Sequence, residues 1–221
     1  MRRRRTLPAA LAALAATSLL LTACGSDDEG GGDDEKIKGA DDASSAPPSP
    51  SPEESEPAAD RPEIQLPSYA KVTFEESETG DPVKDAVLHD NAQLVYAVED
   101  AILKGELTTP ALTFYNAGPS LAGSKKFIKE WVDAGDKWAG TIRYYDREVT
   151  VKDDRTASVV SCADENESWI TKNPESGKKP DDHAPSADNY VMYNTLLEKN
   201  DAGVWVTTRM VSERGADRCQ P

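Results

Sequence analysis

The chain has 221 residues, 38% of them hydrophobic, and a formal net charge of −15 that becomes −19 once the four arginines at positions 2–5 are removed. So acidic a balance argues against nucleic-acid binding through phosphate neutralisation, which needs clustered Lys and Arg. It equally argues against lying flat on an anionic leaflet, and its ordinary meaning is solubility outside the cell.

Arg2 to Arg5 form a positive start, and Leu7 to Leu21 an apolar run of mostly Ala and Leu. The run is short for a permanent span, which takes roughly 20 apolar residues, so it reads as a targeting segment outside the fold. The sequence Leu21-Thr22-Ala23-Cys24 resembles the lipobox of bacterial lipoprotein signal peptides. The resemblance implies cleavage between Ala23 and Cys24, a diacylglyceryl thioether with palmitate-type chains on Cys24, and a place on the extracytoplasmic face of the cell membrane. Two or more acyl chains hold a protein stably where one holds it marginally. The alternative is an ordinary signal peptide with a cysteine near its end, and Arg4-Arg5 suits twin-arginine as well as Sec export.

Residues 24–62 read as a tether. Ser26 to Pro62 carries 12 acidic and 3 basic residues and, apart from Ile37, almost no large apolar side chain. Such a chain cannot bury enough surface to offset the entropy of ordering it, and disorder is expected. It reaches roughly 35 Å as a coil and roughly 120 Å at full extension.

Residues 63–221 suffice for one domain with its own core. Lys71 to Glu75 suits a short leading strand. Asp81-Pro82 predicts a helix start, with Asp as cap and Pro at the first position. Val83, Val87, Leu94, Val98 and Ile102 then share one face, widened by Leu88 and Val95. Gly105 after Lys104 ends that helix. Pro110 to Tyr115 suits a short helical turn. A further helix from Ser120 or Ser124 to Gly135 puts Phe127, Ile128, Trp131 and Val132 on one side.

The remainder reads as strands. In Thr141 to Lys152, Ile142 and Tyr144 are in phase with each other but not with Val149 and Val151, which predicts a bulge near Tyr145-Asp146. Thr156 to Cys162 follows, with Trp169-Ile170 extending or pairing with that sheet. Lys172 to Ala187 is a polar loop. Asn189–Lys199 and Val204–Glu213 form a hairpin about Asn200-Asp201-Ala202-Gly203. Helices first and strands later give an α+β class, with N-terminal helices packed on a curved antiparallel sheet.

This order of amphipathic helices, long bent strand and terminal hairpins resembles the nuclear-transport-factor-2-like, or cystatin-like, cone fold. Gly140-Thr141-Ile142-Arg143-Tyr144-Tyr145-Asp146-Arg147-Glu148-Val149-Thr150-Val151 and Ser212-Glu213-Arg214-Gly215-Ala216-Asp217-Arg218-Cys219 are similar to stretches of uncharacterised actinomycete lipoproteins. The resemblance runs from about Asp81 to Cys219, is architectural and contains no catalytic motif, so it speaks to fold more than to activity.

With Cys24 assigned to lipid, Cys162 and Cys219 remain as an even pair in an oxidising compartment, and a structural disulfide is expected. The competing reading, a thiol metal or redox site, has no CxxC spacing and no nearby histidine. His89 is placed on an exposed helix edge beside Asp90, and His183 follows Asp181-Asp182 in the polar loop. HExxH, Walker, GxSxG and EF-hand patterns are absent from the sequence, and no metal or other cofactor is expected.

A cone of this kind can hold a pocket between helices and sheet. Trp131, Trp138, Tyr144, Tyr190, Tyr193 and Trp205 are the candidate lining residues, each with core packing as its bland role. Asp146 is the candidate acid, with pairing to Arg143 or Arg147 as its alternative. Three functions follow: a non-enzymatic module binding a small ligand or envelope partner; a structural protein with a filled core and an exposed apolar sheet face, a homodimer among its forms; or an isomerase- or dehydratase-like enzyme, which requires a buried acid of raised pKa in the pocket.

Overall fold

The computed structural model describes residues 60–75 and 78–221, so Ala23, Cys24 and the tether up to residue 59 lie outside the described residues. The elements run β1 (Ala70–Phe74), α1 (Pro82–Lys104), α2 (Pro110–Phe114), α3 (Gly118–Ala134), β2 (Lys137–Val151), β3 (Thr156–Thr171), β4 (Tyr190–Lys199) and β5 (Trp205–Arg214).

Local chemistry sets the helix ends. The Asp81 carboxylate accepts from the N–H groups of Val83 and Lys84 at 2.9 and 3.2 Å, and Pro82 opens α1 where no donor is needed. Gly105 closes it in the left-handed region, returning its N–H to Ala101 and Ile102. Val87, Leu88, Leu94 and Ile102 are buried as the stripe requires. Val83 is not: it is exposed at the solvent-facing start of the helix.

The sheet order is β1-β2-β3-β4-β5. β2 to β5 pair antiparallel. β1 departs from the all-antiparallel expectation and pairs parallel to β2, which the three intervening helices permit, since a parallel pair needs a long crossover. β2 begins at Lys137 and β3 continues through Trp169-Ile170 to Thr171, both longer than the patterning indicated.

Bulges curve the sheet. Asp146 and Arg147 together face the gap opposite Ser161, where the expected parity switch falls, and Asp146 takes a left-handed φ of 47°. On β3, Glu165 and Asn166 face the single residue Ile142. On β5, Thr208 is the extra residue opposite Leu196-Leu197. Each bulge bends and twists its strand. Each also changes which residues face the helices, because side chains alternate along a strand. After the last one, Met210, Ser212 and Arg214 turn inward.

Three apolar clusters hold the domain. Leu94, Ile102, Leu112, Tyr115 and Ile128 pack with the inner sheet face around Trp138, Ile142 and Tyr144. Val87 and Leu88 meet Ala157, Val159, Leu197 and Trp205. On the other face, Cys162 and Cys219 form a disulfide with a Cα–Cα distance of 5.4 Å, packed with Ala216, Tyr190 and Met192. The Tyr145 hydroxyl donates to the Cys219 carbonyl and adds a second tie to the C-terminal turn.

Folded contacts reach back to Arg61, just ahead of the boundary drawn at residue 63. Its guanidinium forms a two-pronged ion pair with Asp90, which is 1% exposed and also accepts the backbone N–H of Trp205 at 2.9 Å. His89 lies beside the same carboxylate, with Nδ1 3.0 Å from Asp90 Oδ1.

Candidate functional site

The space between α1, α3 and the inner sheet face is not filled. α3 presents Ser120, Gly123 and Ser124 there, and α1 presents Leu94, Val95, Val98 and Glu99. The small side chains of α3 cannot bridge to the sheet, and a chamber of about 340 Å³ remains. Tyr144, Val191, Tyr193 and Met210 form its sheet wall. A second chamber of about 420 Å³ adjoins it toward the β2–β3 end. Glu99, Phe127, Tyr193 and Arg214 line both chambers, so the two make one cleft with these residues at the join.

The first chamber is mostly apolar with polar groups at its margins. Asn91 donates to Thr195 Oγ1 at 3.3 Å, and that hydroxyl donates on to the Val159 carbonyl at 3.1 Å. Asn116 donates to Ser124 Oγ at 2.9 Å. Ser120 Oγ is buried without a hydrogen-bond partner among the described residues.

The second chamber is richer in tryptophan. Trp131, Trp138 and Trp169 line it with Glu99 and Glu165. Gly140 lets Trp169 close against β2: with φ at 99°, a Cβ there would stand 2.7 Å from the Trp169 ring and 2.2 Å from the Glu167 carbonyl. Glu165 takes Arg214 at 2.7 Å, and Arg214 also donates to the Asp188 carbonyl at 3.0 Å. Glu99 has no cationic partner among the described residues.

Burial, aided by repulsion from Glu165, lifts the Glu99 carboxyl to about 8, against the attraction of the Trp138 indole N–H. Glu99 is therefore largely protonated at neutral pH. Tyr144 and Tyr193 are driven up by burial first and by the nearby groups second, and their rings lie 5.9 Å apart. Protonated Glu99 and these phenols are uncharged hydrogen-bonding groups in a cleft that also holds the Glu165–Arg214 ion pair.

Of the residues anticipated from sequence, Trp131, Trp138, Tyr144 and Tyr193 line the cleft. Trp205 does not: at 1% exposure it is core near the start of α1, against Val87 and Leu88. Tyr190 packs with the disulfide instead, because it alternates with Val191 to the opposite face. Asp146 is exposed at the bulge and points to no cavity. Neither neighbouring arginine pairs with it. Arg143 pairs with Glu75 at 2.9 Å and Asp164 at 3.3 Å. Arg147 is buried, donates to the Leu88 carbonyl at 2.8 Å and lies over the Phe74 ring; burial pulls its pKa down to about 10. His183 sits at the rim of the second chamber, with Nε2 2.7 Å from the Asn166 carbonyl and its ring against Trp169. Among the described residues no metal-sized group of His, Cys, Asp or Glu forms around it.

Glu99, Glu165 and Arg214 are not among the residues anticipated from sequence. For Glu99 a signal existed: it lies four residues after Val95 and three before Ile102, an acid on the buried stripe. Glu165 and Arg214 gave none, since their inward orientation follows from bulges in β3 and β5.

No family model matches the chain, and no curated protein does. Among solved structures, the chain is similar to an NTF-2-like protein of unknown function from Shewanella oneidensis MR-1, at 19% identity and a TM-score of 0.36, over 56% of this chain and 96% of that one. It is similar to a putative ketosteroid isomerase from Shewanella frigidimarina NCIMB 400, at 13% identity and a TM-score of 0.36, over 60% and 98%. A ketosteroid isomerase-like protein from Erwinia carotovora atroseptica SCRI1043 matches at 16% identity and a TM-score of 0.34, over 56% and 92%. The α+β fold of this chain stands on its own strand order and registers.

Proposed function

We propose that this chain is a membrane-tethered extracytoplasmic binding module that takes a small, mainly apolar molecule into the cleft between α1, α3 and the sheet. The observation that carries the reading is the cleft itself: a concave, largely apolar volume with a few convergent polar groups, the usual form of a small-ligand site. A structural protein would be expected to fill this space. The lipobox and the acidic, proline-rich segment supply the rest of the proposal: lipid on Cys24 holds one end, and the tether sets the working distance from the membrane.

Two measurements test it. The described strands, core and disulfide lie within residues 70–219, so a soluble chain starting at Gly25 keeps every one of them. Nile red added to that chain should gain fluorescence saturably, and Ser124→Trp, which fills the first chamber, should abolish the gain. Unchanged dye binding in S124W would refute the cleft reading. Cys24→Ala should move the full chain out of membrane fractions or leave it unprocessed; a cleaved, membrane-bound variant would refute the anchor.

A second reading is favoured by one observation, the Glu99 carboxyl with a pKa of about 8 beside two tyrosines. An acid poised near neutrality next to hydroxyl donors suits proton transfer at a carbon adjacent to a carbonyl. Incubation with a cyclic β,γ-unsaturated ketone in heavy water checks this. Deuterium entering the substrate, and lost in Glu99→Gln, would place the protein among enzymes; its absence leaves the binding module.

A further inference from the structure

The second chamber has a composition that an apolar ligand alone does not explain. Three tryptophans and Tyr193 surround two carboxyl groups, and only one of the two is neutralised: Glu165 holds Arg214, while Glu99 has no cation among the described residues. Aromatic rings attract cations through their negative faces, and most strongly where water is excluded. A carboxylate held in such a cleft without a partner is costly when ionised, so Glu99 would ionise readily only with a positive charge beside it. An anion would meet the wrong sign, since Arg214 is already committed to Glu165 and to the Asp188 carbonyl.

We propose that the second chamber receives an organic cation, a quaternary or tertiary ammonium head held between Glu99 and the rings of Trp131, Trp138 and Trp169, with the apolar body of the same molecule in the first chamber. The proposal rests on the cleft being a ligand site and adds the class of ligand. Glu99 stands at the join, where a head in one chamber and a tail in the other would meet. Binding requires the Glu99 carboxylate, so the proton it carries at neutral pH leaves to solvent as the cation enters. The other charged or titratable groups around that proton and the rings are Glu165 from β3, Arg214 from β5 with Asp188 behind it, Tyr144 from β2, Tyr193 from β4, His183 at the rim, and Lys179, which pairs with Glu167 and lies 6.0 Å over the Trp169 ring. α3 faces it with Phe127 and Trp131, which carry no charge.

The test compares octyltrimethylammonium with octanol, equal tails on a charged and a neutral head, by calorimetry on the soluble chain from Gly25. The ammonium probe should bind at least about tenfold tighter at pH 8 than at pH 6, with about one proton released per molecule at neutral pH when two buffers are compared. Octanol should bind more weakly and without pH dependence. Glu99→Gln should remove the pH dependence and weaken the ammonium probe alone. The wild-type comparison stands even if that variant does not fold. Octanol binding as tightly as the ammonium probe, or an ammonium affinity flat with pH, overturns the proposal. If neither probe binds while Nile red still enters, the cation is refuted and the cleft reading survives; if Nile red also fails, both fall. A bilayer lipid and a free amphiphile can carry the same head. Flotation with phosphatidylcholine vesicles separates these sources, and the cation class holds in either case if the calorimetric result does.

Discussion

Glu99 is the residue whose environment most changes its chemistry. In the unfolded chain its carboxyl ionises near the ordinary 4.5, whereas in the fold it keeps its proton to about 8. Between those values the folded state binds one proton more than the unfolded state, so stability falls as pH rises. The contribution is fully present below about 4.5, declines across the window and is flat above about 8. Between about pH 5 and about pH 9 the urea midpoint should therefore drop more for the wild type than for Glu99→Gln, which has nothing to ionise. Equal drops would mean that the fold does not raise the Glu99 pKa. Arg61 illustrates the opposite case, a charge supplied to a buried acid. Arg61→Ala leaves Asp90 buried with fewer partners and should cost about 1–3 kcal/mol in denaturant unfolding, an effect no free tether residue would have.

At the scale of elements, the bends in the strands decide what the helices meet. The β2 bulge at Asp146-Arg147 was legible, because Ile142 and Tyr144 are out of phase with Val149 and Val151, and a strand that keeps one apolar face through such a shift must hold an extra residue. The bulges at Glu165-Asn166 and Thr208 were not, since the residues around them mix polar and apolar types on both faces. Those two set Glu165 and Arg214 into the cleft. Gly140 provides a test of how an element shapes the site. Gly140→Ala puts a methyl where Trp169 and the Glu167 carbonyl already stand, in a left-handed conformation an L side chain rarely adopts. It should destabilise the protein by about 1–3 kcal/mol and shift the tryptophan emission. An unchanged spectrum and midpoint would show that Trp169 does not lie against β2.

For the whole molecule, the disulfide and the N-terminal pin act on opposite ends. Cys162 and Cys219 are 57 residues apart, and closing a loop of that length restricts the unfolded chain by about 4 kcal/mol in the entropy model. Cys162→Ala with Cys219→Ala should lower the unfolding free energy by about that amount. The cleft should survive wherever the variant is folded, because the bond lies on the sheet face away from α1 and α3. Loss of Nile red binding in the folded variant would contradict that separation. At the other end, Arg61 meets Asp90 beside Trp205, so the ordered contacts of the domain begin there, ahead of its first strand.

The amino-acid sequence by itself determined what local chemistry controls: the capped start and glycine stop of α1, the turn of the terminal hairpin, the one even cysteine pair and the α+β order of elements. These depend on residues close in the chain or on simple counting. Tertiary structure alone decided which acid matters. Asp146, beside the predicted bend, turned out to face solvent, whereas Glu99, Glu165 and Arg214, on three different elements, meet at one join. Their meeting depends on two bulges without a periodic signature and on a helix whose small residues leave a space open. Neither can be counted along a chain, because both are properties of how surfaces fit once they are packed.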